Sequence, residues 1–235
     1  NSGMAALAMA IVMGKRKGYG KKAMFPHNIP LTLVGVGLLW IGWFGFNAGS
    51  AMKANESASM AFLATQLATA AAVICWVFTE WAVKGKPTIL GMASGAVSGL
   101  VAITPAAGYV SPGHAVVIGA LAGVLCYFGV LAKQWIGYDD SLDVFGIHAV
   151  GGAFGSLATG FFASKAIGGT DGWLYGNAAQ MGSQVTAVLA IGAFSFFATF
   201  IIASIMNLVM YLRVPEEDEL TGTDTAIHGE AGYNL

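Results

Sequence analysis

Six apolar stretches of near-membrane length, parted by short polar turns, leave this 235-residue chain little choice of fold. They run at about residues 29–49, 57–82, 88–103, 113–132, 143–163 and 179–211. At a rise of about 1.5 Å per residue the first reaches roughly 31 Å, close to the ~30 Å hydrocarbon core of a bilayer. The last is long enough to tilt or to continue past the membrane as a helix. Composition agrees: 56% of residues are hydrophobic and only 10% charged, against about 25% charged in soluble domains. The expected fold class is all-α, a polytopic membrane helix bundle. A net charge of −1 gives no global basic field, which argues against a nucleic-acid partner.

The few charges set the orientation. If the loop after residue 13 is cytoplasmic, alternation puts Lys15, Arg16, Lys17, Lys21, Lys22, Lys84, Lys86, Lys133 and Arg213 inside, and only Lys53 and Lys165 outside. The C-terminal tail is then cytoplasmic. Two units are expected, a membrane domain over 1–214 and a tail over 215–235. The apolar run from Ser2 to Met13 is too short to span and carries no signal-peptide pattern. It reads as the end of a helix that begins upstream, so the chain is expected to be a fragment, with a partial helix before the six spans.

Small residues describe the packing. Gly91, Gly95 and Gly99 recur at every fourth position, as do Gly119 with Gly123 and Gly151 with Gly155. Such stripes let helix backbones approach closely and are read as scaffold.

Chemistry concentrates on two segments. Trp43, Phe46 and Ser50 fall at i, i+3 and i+7 of the first span, placing two rings and a hydroxyl along one face. Aromatic faces attract cations, and a hydroxyl oxygen accepts a hydrogen bond from an ammonium group. The residues alone leave ordinary aromatic packing open. His148 sits inside the fifth span among Gly146, Gly151, Gly152 and Gly155. An ionisable group at such a place is costly, and it reads as functional by default. A neutral imidazole can donate at one nitrogen and accept at the other. Asp143, five residues earlier, is too far around the helix for a direct dyad and is expected to cap the helix N-terminus. Asp139 and Asp140 read as solvated loop charges, His114 as a residue of the outer rim. Cys75 and Cys126 read as free thiols within the spans, since neither makes a CxxC or zinc pattern. No cofactor or metal is expected.

Several motifs carry a resemblance: Phe25-Pro26-His27-Asn28-Ile29-Pro30, Phe44-Gly45-Phe46-Asn47-Ala48-Gly49-Ser50, Gly85-Lys86-Pro87, Ile103-Thr104-Pro105-Ala106, Asp143-Val144-Phe145-Gly146-Ile147-His148 and His228-Gly229-Glu230. Over its whole length the chain resembles the ammonium transporter family, its microbial and plant branch more than the Rhesus branch. The resemblance implies a homotrimer in the plasma membrane, each subunit holding its own pore between two inverted five-helix repeats and a closing helix. It implies that this chain carries the end of the fifth helix, the second repeat and the eleventh helix. Ser50 would be the hydroxyl of the outer ammonium site, Phe46 one ring of the stacked gate and Trp43 a pore-lining ring. His148 would be the second of two pore histidines, the first lying upstream of Asn1. Asp143 and Thr104 would support these residues.

The implied activity is transport. Ammonium is recruited outside, gives up its proton and crosses as ammonia through an apolar pore. A PII-type nitrogen regulatory protein is the implied partner at the cytoplasmic face. A sensor or receptor using the same fold is the alternative. An enzyme is not expected, because there is no metal pattern such as HExxH and His148, Asp143 and Ser50 do not share one helix.

Overall fold

The computed structural model describes residues 1–232, and these form an all-helical bundle with no strand among them. The last three residues of the expected tail lie outside the described residues. Helix α1 covers Ser2–Met13, α2 Ile29–Gly49, α3 Glu56–Lys84, α4 Ile89–Ile103 and α5 Pro112–Ile136. A π-helical turn, Phe145–Ala149, leads into α6, Val150–Phe162. The short α7, Lys165–Gly168, and a 3₁₀ turn, Trp173–Tyr175, precede α8, Ala178–Val209. The tail holds α9, Glu216–Thr221, and a second π turn, Asp224–His228.

Local chemistry starts and stops these helices where the sequence supplies caps. The side chains of Asn28, Asn55, Thr88 and Ser111 accept the N–H groups of Leu31, Ala58, Gly91 and His114, satisfying donors that a helix start leaves free. Gly85 and Gly137 end α3 and α5 in left-handed conformations, φ 78° and 82°, which L side chains resist.

Among the described residues five helical segments are long and apolar enough to cross a membrane: α2, α3, α5, the π turn with α6, and α8. The span expected at 88–103 differs. Its helix has only 15 residues, Ile89–Ile103, or roughly 22 Å. Pro105 follows at once and has no N–H to extend the ladder. Ten of its residues are buried, so α4 is held by neighbouring helices more than by lipid.

The core forms around α3. Ala61, Ala64, Ala68 and Ala72 are buried along one face of it, and the glycine stripes of α4 and α5 pack there. A Cβ added to Gly119 would stand 2.0 Å from the Ala68 carbonyl oxygen, and one on Gly123 would stand 2.4 Å from that of Ala72. On α4, a Cβ at Gly99 would lie 2.7 Å from the Ala72 Cβ. Backbone meets backbone here, as a bundle without a hydrophobic drive between helices requires. Helix α1 lies against α8 and the π turn: Gly3 has no room for a Cβ beside the Ala149 backbone nitrogen, and Ser195 Oγ donates to Asn1 Oδ1 at 2.7 Å.

Candidate functional site

The outer cluster grows from α2. No charged residue occurs between Ile29 and Gly49, and Trp43 and Phe46 meet edge to face with ring centroids 5.6 Å apart. The Trp43 indole N–H donates to Thr104 Oγ1 at 2.8 Å, and the Thr104 hydroxyl donates to the Leu100 carbonyl at 2.7 Å. The ring is thus fixed to the end of α4. One turn on, Asn47 is buried and its amide donates to Thr65 Oγ1 on α3 at 2.9 Å. The Ser50 hydroxyl spends its single proton on the Phe46 carbonyl at 2.6 Å. Its oxygen therefore offers only lone pairs outward, the state suited to a hydrogen-bond-donating cation. Phe46 and Ser50 are both exposed in this chain.

His148 stands elsewhere. It lines a cavity of about 1270 Å³ with Thr32 and Val36 of α2, Ala93 and Val97 of α4, and Ile147, and the same cavity reaches the charged side chains of Arg16, Lys22, Lys133 and Asp143. Trp43, Phe46 and Ser50 do not line that cavity, so the structure yields two clusters joined by the apolar length of α2. His148 makes no hydrogen bond among the described residues. It also sits in a π turn rather than a regular helix, a feature that breaks the i→i+4 ladder and recurs at functional sites. The Ile147 carbonyl accepts from Val150 N and from the buried Cys126 thiol, S···O 3.7 Å. Gly129 and Gly146 let α5 pass this turn at backbone distance; a Cβ on Gly146 would lie 2.6 Å from Val130 N.

The loop 137–144 corrects three expectations. Asp139 and Asp140 are buried rather than solvated. Asp139 Oδ1 and Oδ2 accept from the Arg16 guanidinium at 2.7 and 2.8 Å, and Oδ2 also accepts from the Arg16 backbone N–H at 2.8 Å. The third correction concerns the helix start, where Asp140 accepts the Phe145 N–H at 2.8 Å. Asp143 instead adopts a left-handed φ of 58° and turns its carboxylate to Lys133 of α5. Three aspartates therefore do three jobs: one anchors the α1–α2 loop, one caps the π turn and one fastens α5.

Glu80, near the end of α3, is a further buried ionisable group. It is 3% exposed, accepts Thr88 N at 3.0 Å and the Thr88 hydroxyl, and pairs with Lys84 at 3.3 Å, so it caps α4 from the neighbouring helix. The rule that singles out His148, an ionisable group within a span, singles out Glu80 as well. His114 is half-buried and stacks on Phe162 at 4.7 Å, a tighter setting than an outer-rim position implies. Among the described residues no group of three or more His, Cys, Asp or Glu could hold a metal ion.

Acid will test the Asp139 anchor. Burial pushes this carboxyl up, but the hydrogen bonds and charge of Arg16 outweigh burial and hold it below the usual carboxylate range. A depressed folded-state value contributes stability above the unfolded value of about 3.9, and the contribution is lost as pH falls through the folded one. Protease sensitivity of the 14–28 loop will therefore rise below about pH 4. Asp139→Asn will make the loop sensitive already at neutral pH; equal protection in both proteins would remove the anchor.

The sequence pattern of the Ammonium Transporter Family matches residues 1–233. The chain belongs to that family. Similar relatives include an ammonium transporter of Aquifex aeolicus, 50% identical over 100% of this chain and 55% of its own length. One of Bacillus subtilis is 46% identical over 99% and 58%. Among solved structures, the N240A mutant of Candida albicans Mep2 matches with a TM-score of 0.86, 35% identity, and coverage of 95% of this chain and 52% of its own. A structure described as a sensor Amt protein matches at 0.85 and 29%, covering 96% and 56%. The chain spans little more than half the length of the curated relatives it matches. The Ammonium Transporter Family is a transport family rather than an enzyme family, and its member here is a multi-pass membrane protein.

Proposed function

We propose that the protein moves ammonium across the plasma membrane, recruiting the ion at Ser50, Phe46 and Trp43 and passing ammonia along the apolar face of α2 to His148. The observation that carries this reading is the order of chemistry along one uncharged helix: rings and an acceptor hydroxyl at one end, and at the other a cavity with an imidazole that no neighbour holds. Cation–π contact with an ammonium ion contributes about 2 kcal/mol when desolvated. The α2 face offers no counter-charge to carry an intact ion further, so loss of the proton is the way through. A neutral imidazole accepts from or donates to ammonia without attracting potassium, which has no proton to give up. Thr104 holds Trp43, and Asp143 with Lys133 holds the approach to the π turn.

Within the same reading, residues 1–214 form the membrane domain and 215–235 a cytoplasmic tail. The protein works as a homotrimer, and the tail answers to a PII-type regulatory protein. No cofactor enters the cycle. A sensor role is the second reading, favoured by the structural likeness to a sensor Amt protein.

The test is ammonium-dependent current in proteoliposomes, which a sensor would not produce. Within it, Thr104→Val leaves the half-buried Trp43 N–H without its acceptor, a loss of about 1 kcal/mol. The half-saturating ammonium concentration will rise roughly fivefold while maximal current holds. An unchanged half-saturation point would detach Trp43 from recruitment.

A further inference from the structure

The transport reading makes no use of a second cavity, of about 1070 Å³, formed where the α1–α2 loop meets the segment after α8. Six cations line it: Lys15, Arg16, Lys17, Lys21, Lys22 and Arg213. Three of these are matched within the fold, Arg16 by Asp139, Lys17 by Glu216 and Arg213 by Glu219. Lys15, Lys21 and Lys22 have no carboxylate partner among the described residues. The cleft therefore gathers three lysines that have no ion-pair partner among the described residues.

Its position says what the charges face. Helix α1 ends at Met13 and α8 at Val209, so the cleft begins where two apolar helices stop. Beside it Leu208 and Val209 are 87% and 84% exposed, and Tyr211, which lines the cleft itself, is 96% exposed. Tyrosine at such a level is the usual residue of a membrane–water interface. A phosphate group in the cleft would meet the lysines, and acyl chains attached to it would lie along the exposed end of α8. A free phosphate or nucleotide would leave that apolar edge unused.

We propose that this cleft binds the phosphate headgroup of an anionic lipid in the cytoplasmic leaflet. Lys15, Lys21 and Lys22 supply the charge, and the paired Arg16 and Arg213 supply a rigid rim. Arg16 and Lys22 also line the cavity that holds His148, whereas Lys15 and Lys21 do not, so Lys15 and Lys21 variants make failure of this site and failure of the transport reading separately visible.

Binding is read by mass spectrometry of the protein released from nanodiscs of phosphatidylcholine with phosphatidylglycerol. The parent will retain phosphatidylglycerol in preference to phosphatidylcholine. Neutralising one lysine with Lys21→Gln or Lys22→Gln will weaken retention about fivefold, and the triple change with Lys15→Gln about a hundredfold. These lysines are surface residues, so the single variants test the idea even if the triple variant assembles poorly. Lys86→Gln, cytoplasmic but outside the cleft, will retain the lipid as the parent does. Inorganic phosphate and water-soluble glycerophosphoglycerol will compete only weakly. Equal retention by parent and cleft variants, equal loss in Lys86→Gln, or competition by inorganic phosphate as strong as by the lipid would each overturn the proposal.

Discussion

Replacing His148 with Glu will collapse discrimination between ammonium and potassium in the membrane-embedded protein. The imidazole lines the inner cavity without a hydrogen-bond partner among the described residues, and two cations lining the same cavity, Arg16 and Lys133, are already held by Asp139 and Asp143, so neither is free to neutralise a carboxylate placed there. A unit charge about 4 Å from a passing cation contributes roughly 4 kcal/mol at an effective dielectric near 20. Even a third of that is about a tenfold gain for potassium. Ammonium transport need not fall by the same factor, because a site that holds the intact ion opens a route the neutral pore denies. The measurement is the ratio of potassium to ammonium current in proteoliposomes, normalised to correctly assembled protein. His148→Gln keeps a neutral polar group at the same depth and will stay close to the parent ratio. An unchanged ratio in His148→Glu would return the histidine to a packing role and leave selectivity to the outer cluster.

Helix positions were legible because both signals they rest on are local. Length and apolarity mark a span, and Asn28, Asn55, Thr88 and Ser111 announce its start three residues ahead of the N–H each accepts. Expected and observed limits of α2 coincide at 29–49. The glycine stripes were legible for the same reason, since four-residue spacing fixes one helix face before any partner is known. What the sequence hid is chemistry that crosses the chain. Asp139 meets Arg16 across 123 positions, and nothing near Asp139 distinguishes a buried anchor from a solvated loop charge. The π turn was hidden too, because a widened turn leaves apolar periodicity almost unaltered over five residues. It matters, since it decides which wall of the cavity His148 occupies. Glu80 is a different case: its signal is local, a carboxylate about one turn from the end of an apolar helix, and its partner Thr88 lies only eight residues on.

The largest stability effect expected comes from a single carbon atom. Gly152 and Gly155 stand on the same helix, α6, in one small-residue segment, and the sequence treats them alike. The structure does not. A Cβ on Gly155 would lie 2.1 Å from the Ala102 carbonyl oxygen and 2.9 Å from the Ala102 Cα, both backbone atoms of α4. No rotamer change can relieve that contact, so α6 must move off α4. A Cβ on Gly152 would meet only the Val101 Cγ1, at 3.9 Å. Alanine favours a helix over glycine by about 1 kcal/mol at either place. Gly152→Ala will therefore be neutral or slightly stabilising. Gly155→Ala will lose that gain to overpacking of roughly 1–3 kcal/mol or more, because backbone is the obstacle. Thermal unfolding in detergent will separate the two variants, with Gly155→Ala several degrees lower. Since α6 continues directly from the π turn, displacing it also moves His148, and Gly155→Ala will disturb ammonium selectivity at temperatures where the protein is still folded. Equal melting of the two variants would mean that α4 and α6 are not in backbone contact and that the wall of the cavity is built differently.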